Sequence, residues 1–225
     1  MRTGALATIV LVVACGAPPE TVAPAPPVSP STAALEALYR ARVDSALARF
    51  SEADAEFMTN MIGHHAQALE MAALPPSRAA GAEIRTLAAR ITTAQEAEIA
   101  LMRQWLEDRG LASPERSAGP SGASGAGVHD AGPEHTTASP GMLTPEQMRA
   151  LESAGGGAFD RLFLSSMIQH HQGAVTMVER LFAAPGAARD ASTFRIASGI
   201  QVDQRSEIGR MESMLAALAD SARSR

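Results

Sequence analysis

Four histidines and a set of methionines are the residues of this sequence best suited to chemistry. His64 and His65 are adjacent within the stretch Asp54 to Met71, and His170 and His171 within the stretch Asp160 to Met177. At one constant offset (64 to 170, or 106 residues) eight of the eighteen aligned positions are identical. They are Asp54/Asp160, Phe57/Phe163, Met61/Met167, Ile62/Ile168, His64/His170, His65/His171, Ala68/Ala174 and Met71/Met177. Downstream, Gln95, Glu98, Ile99, Met102 and Leu106 match Gln204, Glu207, Ile208, Met211 and Leu215 at an offset of 109. The repeating unit is therefore a pair of segments, one carrying Met-x-x-His-His and one carrying Gln-x-x-Glu-Ile-x-x-Met. Repetition of this kind constrains the architecture before any other signal does.

Imidazole and thioether donors without thiolate suit copper, above all Cu(I). Structural zinc favours cysteine or a closed tetrahedron of histidines, and the sole cysteine is Cys15. No Glu-x-x-His or His-Glu-x-x-His occurs, so neither a di-iron carboxylate bundle nor a zinc-protease helix is indicated. Calcium and magnesium need oxygen clusters, which these segments lack. A second reading uses the same residues without a metal. Methionine is a common filler of irregular cores, and buried imidazoles can be satisfied by Glu98, Glu207, Gln95 and Gln204. The chain would then be a structural or partner-binding envelope bundle. Duplicated copies are not independent sightings, but both histidines and both stripe methionines match in segments that otherwise differ. A copper redox enzyme would need an open coordination position and a substrate pocket, so enzyme status stays open.

The elements that must position these groups are helices. At about 100° per residue, Phe57, Met61, His64, Ala68 and Met71 share one face, with His65 at its edge. Ile91, Gln95, Met102 and Leu106 form a stripe on the following segment, flanked by Glu98 and Ile99. The second half repeats the arrangement with Phe163, Met167, His170, Ala174 and Met177, then Gln204, Glu207, Ile208, Met211 and Leu215. Ser51 and Asp54 form a capping-box signature for a helix from about Glu52 to Leu74, and Pro75-Pro76 stops it. A partner helix from about Arg78 to Asp108 ends at Gly110. Thr144-Pro145 opens a short helix to about Ser153, Gly155-Gly156-Gly157 breaks it, and helices from about Phe159 to Ala183 and Asp190 to Ser221 complete the chain. Neither hairpin can bury its apolar face alone, so the expected fold is all-α: two antiparallel hairpins forming a four-helix bundle, plus short accessory helices.

The chain has 225 residues, a net charge of −5 and 46% hydrophobic residues, which fits one good-sized domain. The acidic balance argues against nucleic acid as a partner. With 11 methionines and only 4% aromatic residues, the core must be filled by aliphatic and thioether side chains. At the N-terminus, Arg2 precedes an apolar run from Ala5 to Val13 that is too short to span a bilayer. It ends in Val12-Val13-Ala14-Cys15, which resembles a bacterial lipobox and implies cleavage before Cys15 and lipid attachment there. Residues 1–15 are then the signal peptide, 16–33 a Pro/Ala-rich tether, and 34–110 the first helical half. Residues 111–141 are a Gly/Ser/Pro-rich linker whose His129 and His135 are expected to be solvated, and 142–222 the second half. The expected location is extracytoplasmic or periplasmic, anchored to a membrane, with a homo-oligomer possible.

The pattern Phe-x-x-x-Met-Ile-x-His-His-x-x-Ala-x-x-Met, followed by Gln-x-x-Glu-Ile-x-x-Met, resembles the bacterial domain-of-unknown-function family DUF305. The resemblance covers about Asp54 to Leu106 and Asp160 to Leu215. It implies a ferritin-like helical fold and an envelope protein for copper sequestration or homeostasis. The signature positions are Met61, His64, His65, Met71, Gln95, Glu98 and Met102, then Met167, His170, His171, Met177, Gln204, Glu207 and Met211. Gly63 and Gln169 stand where the family often has proline. The histidines are the first candidates for ligands, Met61, Met167, Met102 and Met211 the next, and Glu98 and Glu207 would orient the imidazoles. Proton competition with unperturbed imidazoles would weaken binding below about pH 6.5.

Overall fold

The computed structural model describes residues 31–47, 49–114 and 139–223. The expected signal peptide with Cys15, nearly all of the expected tether, and His129 and His135 lie outside the described residues. Seven helices occur among those described: α1 (Thr32–Leu47), α2 (Glu52–Ala72), α3 (Pro75–Arg78), α4 (Ala82–Glu107), α5 (Pro145–Ser153), α6 (Gly156–Ala183) and α7 (Ala191–Arg223). The chain divides into two units within α1, at Tyr39, and everything that follows concerns the second unit, from Arg40 onward. No helix among the described residues is long and apolar enough to cross a membrane.

Local chemistry accounts for the helix ends. The Ser51 hydroxyl accepts from the Asp54 amide at 3.2 Å and the Asp54 carboxylate accepts from the Ser51 amide at 2.8 Å, closing the expected capping box. Thr144 and Gln147 do the same for α5. Two boundaries differ from expectation. Pro75 and Pro76 do more than stop α2, because proline is tolerated in a first turn: they open the one-turn α3, and α4 starts only at Ala82. Gly155 caps α6, and Gly156 and Gly157 lie inside that helix.

The bundle is a ring of four. α2 packs on α4 and on α6, and α7 packs on α6 and on α4. The core has two apolar clusters. One joins Phe57, Met58 and Met61 near the start of α2 to Met102 and Trp105 late in α4, Met177 late in α6, and Ile200 early in α7. The other joins Met71 late in α2 to Ile84 and Ile91 early in α4, Phe163 and Met167 early in α6, and Met211 of α7. Contacts between the early part of one helix and the late part of its partner are the mark of antiparallel hairpins. The all-α four-helix bundle expected from the hydrophobic pattern is the observed fold.

Two buried carboxylates tie the hairpins to each other. Asp160 of α6 accepts from the Ala80 and Gly81 amides at 3.1 and 2.9 Å, just before α4. Asp54 of α2 accepts from the Ala188 amide at 2.7 Å, just before α7. Each acid serves the other hairpin's turn, and loss of either would remove a tie between the hairpins worth about 1.5–3 kcal/mol per charged hydrogen bond. At the α4 end, Arg109 bonds Asp190 at 3.0 Å and lies over the Trp105 ring. Burial works to raise the Asp190 carboxyl, but hydrogen bonds from Ser192, Thr193 and Trp105 outweigh it and hold the group at about 2.

Candidate metal centre

A polar layer crosses the bundle between the two apolar clusters. On every helix it falls between residues of one cluster and residues of the other: His64 and His65 on α2, Gln95 and Glu98 on α4, His170 and His171 on α6, Gln204 and Glu207 on α7. All four histidines are buried, His65, His170 and His171 completely. The helical wheel put His65 at the edge of its stripe. The structure brings it inside because Glu98 of the neighbouring helix meets it there.

The bonding is orderly. His65 Nε2 lies 2.6 Å from a Glu98 carboxylate oxygen, and His171 Nε2 lies 2.7 Å from Glu207. His64 Nε2 lies 3.0 Å from the Pro140 carbonyl oxygen. Carboxylate and carbonyl oxygens only accept here, so each Nε2 carries the hydrogen, and Nδ1 is left as the nitrogen able to donate a lone pair. The Nδ1 atoms of His64, His65 and His171, and both ring nitrogens of His170, are buried and have no hydrogen-bond partner. A ring nitrogen anchored by a carboxylate or carbonyl, with the opposite nitrogen free, is the usual arrangement of a metal-ligating histidine.

The two halves meet at one pair of rings. His64 and His170 stand with centroids 3.9 Å apart and planes tilted by 38°. His65 and His171 lie farther out, 6.4 Å from His64 and 6.3 Å from His170 respectively. Burial, the largest cause, lowers His64 to about 4, helped by the nearby imidazoles of His65 and His171 and opposed by the Pro140 carbonyl. Burial likewise holds His170 well below the ordinary imidazole range, with His64, His171 and His65 adding to the effect and the His64 backbone carbonyl opposing it. Both central rings are therefore neutral at neutral pH, as a ligand must be. Protonation of His64 is accordingly shifted from the pH 6.5 expected of a free imidazole to near pH 4.

The remaining predicted residues are distributed as follows. Met61, Met102 and Met177 belong to one apolar cluster and Met71, Met167 and Met211 to the other, so three of these six candidate thioethers lie on each side of the layer. Met61 and Met167 are one helical turn before His64 and His170, on the same helix face. Gln95 is buried with its amide unpartnered, and Gln204 has an unpartnered oxygen. On the α4/α7 side Asp203 is raised by burial and by the charges of Glu98 and Glu207. Sequence reading did not single out Asp203, whose matched position is Ala94. It also missed Pro140, which sits at the end of a stretch that looks like linker. A Pro-Gly turn just before α5 was the only local signal.

Among the described residues, no three His, Cys, Asp or Glu side chains are arranged to hold a metal ion by themselves.

Residues 54–221 match the family described as domain of unknown function DUF305. A DUF305 protein from Streptomyces coelicolor, described as a candidate secreted protein, is 28% identical over 74% of this chain and 94% of its own, with a TM-score of 0.61. A DUF305 fragment from Deinococcus radiodurans is 30% identical over 75% of this chain and 98% of its own, at a TM-score of 0.59. CopM in its Cu(I)-bound form is 25% identical over 73% of this chain and 96% of its own, at a TM-score of 0.54. CopM structures with Cu(II) and with silver are similar to this chain as well. No curated protein matches the chain.

Proposed function

The chain belongs to the DUF305 family, and from that premise we propose that it is an exported protein that sequesters copper, as Cu(I), in the polar layer of its bundle. The observation that carries the reading is the set of buried, unpartnered imidazole nitrogens contributed by both hairpins. Neutral nitrogen donors held without hydrogen bonds are costly unless something binds them, and their neutrality suits a cation better than a proton. His64, His65, His170 and His171 are the primary ligands, with Met61 and Met167 the nearest thioethers by sequence and Met102 and Met211 next. Glu98 and Glu207 hold the outer imidazoles in place. The Cu(I)-, Cu(II)- and silver-bound forms of CopM support copper as the ion, and the thioethers favour its monovalent state. The matched sequence segments, each placing its histidines in the same layer, are read as two copies of one unit. Lipid attachment at Cys15, membrane anchorage through residues 16–33 and storage without turnover complete the proposal.

Anaerobic competition of the mature protein against a chromogenic Cu(I) chelator tests it. Binding tighter than about micromolar, or about −8 kcal/mol, is the expected result. Failure to compete at that level removes the copper reading and leaves the metal-free bundle, with imidazoles serving as polar core.

A further inference from the structure

The two halves of the layer are not equivalent, and the difference comes from a short strap. Ser139 to Leu143 crosses the seam between α2 and α6 beside the His64/His170 pair. Ser139-Pro140-Gly141-Met142 closes a turn, with the Met142 amide donating to the Ser139 carbonyl at 3.2 Å and Gly141 at φ +78°. Proline at the second position and a positive φ at the third are the signature of a type II turn, whose central peptide is flipped relative to type I. The flipped carbonyl, that of Pro140, is the one that receives the His64 Nε2 hydrogen.

Three further contacts fix the strap. Gln67 of α2 bonds Leu143 in both directions, donating to its carbonyl at 3.0 Å and accepting from its amide at 2.8 Å. Gln169 of α6 donates to the Gly141 carbonyl at 3.3 Å. Gly173 of α6 lets the strap lie directly on the helix: a Cβ there would come within 1.8 Å of the Pro140 oxygen. Gln67 and Gly173 occupy the same position of the two matched segments, and Gly63 and Gln169 share another. Three of the four residues at these two differing positions thus serve the strap. His170, at the position matching His64, makes no hydrogen bond of ordinary geometry through either nitrogen, its one opposing contact being with the His64 backbone carbonyl.

We propose that the strap is a positioning element that commits His64 to donating through Nδ1, while its counterpart His170 has no strap bond to fix which nitrogen it offers, making the ion site asymmetric. The consequence for metal rests on the copper reading above, but the consequence for His64 does not.

The test is Gly173→Ala, whose added methyl must push the Pro140 carbonyl away. Gly199→Ala, at a helical glycine with nothing within 4 Å of the added Cβ, is the control. Gln67→Ala releases Leu143 instead and serves if Gly173→Ala fails to fold. In metal-free wild type, nitrogen-detected NMR of the imidazoles should show His64 as a single Nε2–H tautomer. In either strap variant that signal should give way to a tautomer mixture, and Ag(I) affinity should fall roughly 10-fold to 100-fold. The control should match wild type in both. A folded strap variant in which the amide of Leu143 has lost its protection, yet His64 keeps one tautomer, overturns the proposal. So does one in which the tautomer is lost and Ag(I) affinity is unchanged. If wild type binds no Ag(I), the copper reading fails, and the tautomer measurement alone still decides whether the strap positions His64.

Discussion

Saturating Cu(I) under anaerobic conditions should raise the melting temperature of the wild-type bundle, and His64→Ala with His170→Ala together should abolish that rise. A ligand present at 100 times its dissociation constant stabilises the folded state by about 2.7 kcal/mol. For a chain of this size each kcal/mol shifts the midpoint by about 2–4 °C, so the expected rise is roughly 5–10 °C. The central rings are singled out because, among the described residues, they bring the two hairpins within ring contact, at 3.9 Å. Without metal the double variant should melt near wild type or modestly below it, since it opens space but also removes unpartnered polar nitrogens. If the histidines are only polar core, the variant lowers stability by the same amount with and without Cu(I), and the wild-type curve does not move.

The second large effect is acid sensitivity of the metal-free protein. His64 is lowered to about 4 and His170 lies well below its ordinary 6.5 in the folded chain, whereas both return to about 6.5 on unfolding. Between these values the unfolded chain binds protons that the folded chain refuses, so stability rises with pH there and is lost as pH falls from 6.5 toward 4. For His64 alone the loss at pH 4 is on the order of 3 kcal/mol. That is a large part of a total that seldom exceeds about 15 kcal/mol. Urea unfolding at pH 7 and at pH 4.5 should show the decline, and His64→Gln with His170→Gln should remove most of it. Equal pH dependence in wild type and variant would mean that these rings titrate normally. Bound Cu(I) should flatten the profile in wild type, because the ion occupies the lone pairs that protons would take.

Much of this was legible in the sequence. The 3.6-residue spacing of Phe57, Met61, His64, Ala68 and Met71 placed one imidazole per helix on the apolar face, and its recurrence at Phe163 to Met177 required two such faces to meet. Glu98 and Glu207 were legible as partners for the imidazoles, together with Gln95 and Gln204, but that the glutamates meet the outer pair, His65 and His171, was not. What periodicity could not supply was contact between distant segments. Pro140 reaches His64 across 76 positions from a stretch whose composition reads as linker. Asp160 and Asp54 appeared to be helix-start residues, and Asp54 is one. Their ties to the turns before α4 and α7 depend on how the hairpins are arranged. Spacing puts Met61 and Met71 on the helix face of His64, and Met167 and Met177 on that of His170, whereas the fold divides each pair between two apolar clusters. Spacing along a helix gives the face on which a side chain lies, and the neighbouring helices decide which cluster it joins.

X-ray absorption at the copper edge of the Cu(I)-loaded protein tests the central claim most directly. The bundle should give a low-coordinate Cu(I) spectrum with imidazole multiple scattering, and His64→Ala with His170→Ala should lose it. A shell of oxygen donors, or an imidazole signal that survives the double substitution, would contradict a site built across the two hairpins.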